Sequence, residues 1–243
     1  MKPSNESKAV FISSLLESVS PSQIEGLLAD AKSKLLMSKP KLAPALYDAK
    51  ESFNYQLNGL LDRDYPELSR MNERQFIDLI SSLRPMNRDF ISSPETLPYL
   101  IVIPHSMVSI YDQLSCKNNE ILGYTFLDIR NIRRVDDTIK HTKPYLISDV
   151  SCGTSMRGFS ADKGAKQIFS SGRTPLNLEE GMALFTHAPQ ILYYQGLIFA
   201  GSKHKDDGVL DIYLYGGKAK LKRERREDAD SRWGIPSYID QIL

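Results

Sequence analysis

The stretch Gly172-Arg-Thr-Pro-Leu-Asn-Leu-Glu-Glu-Gly-Met-Ala-Leu-Phe-Thr-His-Ala-Pro189 constrains this chain more than any other segment. It reads as a glycine-punctuated turn, a short capped helix and a proline stop. Asn177 is the N-cap, and Glu180 three residues on closes a capping box. Glu179 and Glu180 both sit where the helix dipole favours negative charge. Gly181, inside the first turns, costs about 1 kcal/mol against alanine, so a strand or a ligand is expected to pack closely over it. Upstream, Ser160 caps a helix carrying Ala165, Ile168 and Phe169, with Gly172 as its left-handed stop.

The first third of the chain is helical by period. Ile12, Leu15, Leu16 and Val19 share one helical face. Ser20-Pro21-Ser22-Gln23 opens a second helix with an apolar stripe of Ile24, Leu27, Leu28, Ala31 and Leu35. The segment 38–44 carries Pro40 and Pro44 and reads as a linker. It divides a helical extension, residues 1–43, from a core domain over 44–243. Leu46, Ala49, Phe53, Leu57 and Leu60 mark a third helix. Asn72 and Gln75 open a fourth, which Arg84-Pro85 ends.

Beyond it the pattern changes to short runs rich in β-branched residues. Leu97 to Pro104, Ile121 to Leu127 and Tyr145 to Val150 predict strands. Met107 to Leu114 predicts a helix, and Asp128 to Val135 a helical turn. Leu197 to Ala200 and Val209 to Tyr215 predict paired strands, with Asp206-Asp207-Gly208 as the turn signal between them. The expected class is α+β: N-terminal helices followed by a mixed or antiparallel sheet with interspersed helices.

A net charge of +1 gives no global field that would favour nucleic acid or an anionic membrane. No apolar run approaches the ~20 residues that span a bilayer. Cys116 and Cys152 provide neither a disulfide framework nor metal-ligand spacing, which suits a reducing cytosol. The N-terminus is polar and unlike a secretory signal. A cytoplasmic address is therefore expected. His105, His141, His187 and His204 form no local metal-binding pattern. No phosphate-loop or dinucleotide fingerprint occurs, so no metal and no cofactor are expected.

Three blocks carry a resemblance. The first runs Phe53-Asn-Tyr-Gln56-Leu57, then Leu60-Leu61, Tyr65-Pro66-Glu-Leu68, Phe76, Leu79-Ile80 and Leu83-Arg84. The second is Pro144-Tyr145-Leu-Ile-Ser-Asp149-Val150 with Gly153. The third is Gly172-Arg173-Thr174-Pro175-Leu176, Glu180-Gly181-Met-Ala183-Leu184 and Pro189, with Gly201-Ser202 beyond it. Together they resemble a bacterial family of uncharacterised proteins, a domain of unknown function, from Phe53 to Leu221. The resemblance implies a cytosolic α+β domain. Residues 1 to about 45 read as an addition to the family core, and the charged run Lys218 to Asp230 departs from the family pattern.

Arg173 and Glu180 are the candidate anion- or ligand-binding residues. The Arg173 guanidinium has two readings: it clamps a carboxylate or phosphate beside the helix N-terminus, or it braces the turn by bonding backbone carbonyls. Glu180 either does acid–base work, if buried with its pKa raised, or simply closes the capping box. Cys152 follows a strand, but a thiol nucleophile needs a base within reach; His141 and His187 are available, yet the sequence places neither beside it, and the resemblance does not mark this cysteine. Lys218 to Arg226 is basic but diluted by glutamate and aspartate, and reads as a solvated tail or rim without aromatic stacking partners. With no recognised nucleophile, metal set or phosphate loop in the sequence, the expected reading is a non-catalytic cytosolic protein acting through a protein partner. The alternative is a small-molecule-binding protein or enzyme with a pocket near Arg173 and Glu180. Nucleic acid and membrane are not expected as partners.

Overall fold

In the computed structural model, the described residues are 42–85, 90, 96–116, 121–135 and 141–242. The two helices expected before residue 38, and nearly all of the 1–43 extension, lie outside them. Strand β1 (Thr96–Val102) follows the apolar run between prolines, and β4 (Tyr145–Ser151) pairs with it antiparallel, Val102 opposite Tyr145. Alternation gives this sheet two apolar faces. Tyr99, Ile101 and Leu146 lie on one; Leu100, Val102, Tyr145 and Ile147 lie on the other.

Helices α1 (Ser52–Leu61), α2 (Tyr65–Leu68) and α3 (Glu73–Ser81) cover the first face through Phe53, Leu57, Leu60, Tyr65, Phe76 and Ile80. The expected Asn72 and Gln75 capping box is fully formed. β1 is an edge strand, and the buried Gln56 amide occupies its exposed polar groups. Gln56 Nε2 donates to the Tyr99 carbonyl at 3.0 Å, and the Ile101 N–H donates to Gln56 Oε1 at 2.8 Å. Such cover keeps an edge from pairing with another chain.

Helix α4 (Ile110–Ser115), capped by Ser109, leads to β2 (Gly123–Thr125). The expected helical turn over 128–135 is only half present. Ile129–Asn131 form a short 3-10 turn, after which β3 (Ile132–Arg134) pairs with β7 (Ser202–His204). Ile132 carries a β-branched side chain, which suits a strand, and the partner strand lies about 70 residues away, beyond local reading. Helix α5 (Ala161–Ser170) is capped by Ser160, and Gly172 beyond it has φ +72°, as its role as a helix stop requires.

β5 (Thr174–Pro175) leads into α6 (Leu178–His187), every residue of which is buried. Met182, Leu184 and Phe185 pack between the first sheet and a second one, built from β6 (Gly196–Phe199), β8 (Val209–Tyr215), β9 (Lys218–Glu224) and β10 (Trp233–Gly234) with β2. Leu197, Phe199, Leu210, Ile212, Ala219 and Leu221 face α6. On the reverse face, Ile198 and Val209 meet Ala165 and Ile168 of α5. β11 (Ser237–Tyr238) and β12 (Asp240–Ile242) return to pair with β4. Among the described strands, pairing is antiparallel except for β6 with β10 and β2 with β9; with the interspersed helices the fold is α+β.

The charged run, expected as a solvated tail or rim, is a strand in its first half, with its charged side chains on the more exposed side. Lys218 to Glu224 is β9, paired with β8 along its whole length, with Tyr215 opposite Lys218. Gly216 and Gly217 both have positive φ, as the tight hairpin between them demands. The lysines alternate with buried Ala219 and Leu221, so the same residues that look like a charge cluster follow the two-residue period of a half-buried strand.

Candidate functional site

The N-terminus of α6 gathers polar side chains from distant parts of the chain. Asn177 Oδ1 accepts the Glu180 N–H at 3.1 Å, and Glu180 Oε2 accepts the Asn177 N–H at 2.8 Å. The expected capping box is therefore complete, but it uses only one carboxylate oxygen. Glu180 Oε1 is turned toward Arg134 Nη2 at 3.4 Å and the Tyr145 hydroxyl at 3.5 Å. Both distances exceed those of a strong charge-assisted hydrogen bond. Glu180 is 1% exposed. Burial pushes its carboxyl up to about 7, with the Glu179 charge adding to the rise and the Asn177 N–H and Arg134 opposing it.

Glu179 behaves differently although it is the next residue. Its Oε1 accepts the His105 backbone N–H at 2.8 Å and lies 2.5 Å from His105 Nδ1. Burial works against its ionisation, yet the His105 ring and N–H and the nearby Arg134 together hold its carboxyl below the usual range. Through the same contact the His105 imidazole is raised. Neighbouring carboxyls with opposite shifts are the arrangement by which one site holds a proton donor and a fixed anion.

His141 stacks on Tyr145, ring centroids 4.0 Å apart, and its Nε2 lies 2.6 Å from Nε2 of Gln241, whose amide donates to it. Burial and the Arg134 charge push the His141 imidazole down, so it is neutral near pH 7. Two cavities flank this cluster. One, of about 90 Å³, is bounded by His105, Ile132, Glu179 and Ser202. The other, of about 160 Å³, is bounded by Phe169, Glu180, Tyr238 and Gln241. Arg134 and Asn177 line both.

With respect to known proteins, one family of unknown function, DUF5701, matches residues 59–229. The chain belongs to it. The DUF5701 span contains His105, Arg134, Tyr145, Asn177, Glu179 and Glu180, and excludes Gln241. No curated protein and no solved structure matches the chain.

Arg173, in the third block that carried the resemblance to such a family, is placed apart from the cleft. Its Nη2 donates to the Asp149 carbonyl at 2.5 Å and the Ser237 carbonyl at 2.9 Å, and its Nε to Ser237 Oγ at 2.9 Å. It ties β5 to β11 and β4, and it lines neither cavity. Gly181 packs beneath Phe199 of β6, where a β-carbon would collide with the ring. The Cys152 thiol is buried and pushed up to about 12, which leaves it protonated and without nucleophilic character at neutral pH. His187 Nε2 lies 3.0 Å from the Ile101 carbonyl inside the core, and burial pushes its imidazole down to about 3. Among the described residues no group of His, Cys, Asp or Glu is placed to hold a metal ion, and no described helix is long and apolar enough to cross a membrane.

Of the two sequence-level candidates, Glu180 stands in the cleft and Arg173 does not. Arg134, Tyr145, His105 and His141 were missed. Tyr145 lies in the second resemblance block, the only sequence signal any of them carries.

Proposed function

We propose that this DUF5701 protein binds a small polar metabolite in the cleft at the start of α6 and exchanges a proton with it through Glu180. One observation carries the reading: a buried carboxyl with one oxygen committed to the helix cap and the other facing an arginine and a tyrosine at 3.4 and 3.5 Å, in a cavity of about 160 Å³. A carboxyl raised to about 7 exchanges protons efficiently at neutral pH. Arg134 supplies the positive charge that an anionic group on the ligand would meet, and Glu179, kept ionised by His105, fixes the local field. Cavities of this size suit a molecule smaller than the usual drug-sized ligand. The cytoplasmic location expected from the sequence belongs to the same proposal, and two buried free thiols fit it.

Native mass spectrometry of the full chain, purified gently from its own host, tests the reading. The expected result is a bound small-molecule mass that is lost in Arg134→Met and Glu180→Gln while both variants keep the wild-type far-UV spectrum. A folded wild-type protein with no bound mass, and no metabolite-induced rise in Tm across a metabolite panel, would refute it.

A protein partner is the second reading, favoured by Phe126, whose side chain is 88% exposed beside Tyr124, ring centroids 5.6 Å apart. If it holds, Phe126→Ser abolishes co-purification of a polypeptide and leaves the Glu180 cleft unchanged.

A further inference from the structure

The outer face of β8 carries a second buried carboxylate that the α6 cleft does not use. Asp211 is 1% exposed, and among the described residues neither of its carboxyl oxygens has a hydrogen-bond donor at normal length. Its neighbours Leu210 and Ile212 point the opposite way, into the core around α6, so the two sites lie on opposite faces of this sheet. The Lys222 ammonium, directly across on β9, stands 3.8 Å from Asp211 Oδ2, beyond hydrogen-bond length. Lys222 is shared between this long ion pair, Glu224 and the faces of Tyr213 and Trp233, 5.0 and 5.5 Å from their ring centroids. A buried carboxyl whose only charged contact is this long one is poorly satisfied, and native proteins rarely tolerate that without a reason.

Asp211 lines a cavity of about 220 Å³ whose walls include Ile198, Val209 and Trp233. Charges at the rim largely cancel. Arg232 holds Asp230 through a forked pair of bonds, Lys222 contacts Glu224, and Arg225 and Asp228 bring one charge of each sign. Selectivity must therefore come from the two acceptor oxygens of Asp211 and the aromatic wall, because the net field there is weak. A carboxylate matches two parallel N–H donors in a plane, and an indole face accepts a flat π-system or a delocalised cation.

We propose that this cleft is a second binding site, for a planar ligand that presents an amidine-type edge, two adjacent N–H donors, to Asp211 and lays its face against Trp233. Two kinds of molecule carry that edge: a guanidinium group and an amino-substituted heterocycle of the guanine type. The site is independent of the reading offered for Glu180.

Trp233 is the only tryptophan in the chain, so its fluorescence reports this cleft directly. The full chain is titrated separately with guanosine and with arginine amide. A saturable change in Trp233 emission below millimolar concentration is expected for one of them, and which one responds assigns the heterocycle or the guanidinium source. Asp211→Asn should weaken that response by about tenfold or more, because one acceptor becomes a donor. A ligand-side control avoids any dependence on folding of the variant. Guanosine carrying a methyl on its ring N–H, which removes one donor of the edge, or citrulline amide, which keeps two N–H donors but loses the charge of arginine amide, should bind the wild-type protein about tenfold more weakly or worse. No saturable change with either probe, or equal binding of the blocked analogue, overturns the proposal.

Discussion

Gly181 of α6 lies directly beneath the ring of Phe199 of β6, so closely that a β-carbon at this position would overlap the ring. The contact lets a wholly buried helix approach the second sheet, and it explains a glycine in the first turns of a helix, where alanine is intrinsically better. Gly181→Ala should therefore destabilise the protein by about 1–2 kcal/mol net, an overpacking cost of about 2–3 kcal/mol offset by the ~1 kcal/mol gain in helix propensity. Urea unfolding measures it. Adding Phe199→Leu should recover part of the loss; a stabilised Gly181→Ala protein would mean that the ring yields freely.

Buried ionisable groups give stability a defined pH dependence. Burial raises Glu180 from 4.5 and Asp211 from 3.8, each to about 7, so the native state holds these protons more tightly than the unfolded chain. Their contribution is fully present below about pH 4 and is lost as pH rises through about 7. His187 acts in the opposite sense. Its fall from 6.5 to about 3 gives stability that is present above pH 6.5 and lost as pH drops toward 3. Two carboxyls outweigh one imidazole between these limits, so stability should decline from about pH 5 to pH 7. Glu180→Gln should flatten that decline in chemical denaturation at a series of pH values. An unchanged slope would mean that Glu180 titrates near its ordinary value.

Arg173→Ala removes three hydrogen bonds that tie β5 to β4 and β11. A loss of about 2–4 kcal/mol is expected, typical of severed bonds to a charged donor. Any ligand response assigned to Glu180 should survive in this variant. Loss of ligand binding with unchanged stability would restore the anion-clamp reading of Arg173.

A chain beginning at Leu42 should fold. Leu42 and Leu46 are buried in the main core, and the family match begins at residue 59, so the cut is placed just before Leu42. We expect one cooperative thermal transition close to that of the full chain. An unfolded product would show that the first 41 residues supply a packing face the core needs.

The local signals were read well because they act over a few residues. Asn72 with Gln75, Ser160, Gly172, and Asn177 with Glu180 all perform the capping or stopping roles their spacing suggests. Each involves one turn of backbone, whose orphan N–H groups and allowed φ are dictated by the residues themselves. The strand character of β9 is hidden for a different reason. Its lysines and arginines outweighed the alternation of Ala219 and Leu221, and only a partner strand shows which period governs.

Sequence alone therefore determined the α+β class, most helix and strand identities, and the cap that holds Glu180 at the start of α6. Tertiary structure alone decided that this carboxyl would be buried, that its second oxygen would face Arg134 and Tyr145, 46 and 35 residues away, and that Arg173 would be a brace. Capping depends on neighbours along the chain. A shifted pKa depends on what excludes water and which charges come near, and those groups arrive from separate strands once the two sheets close over α6.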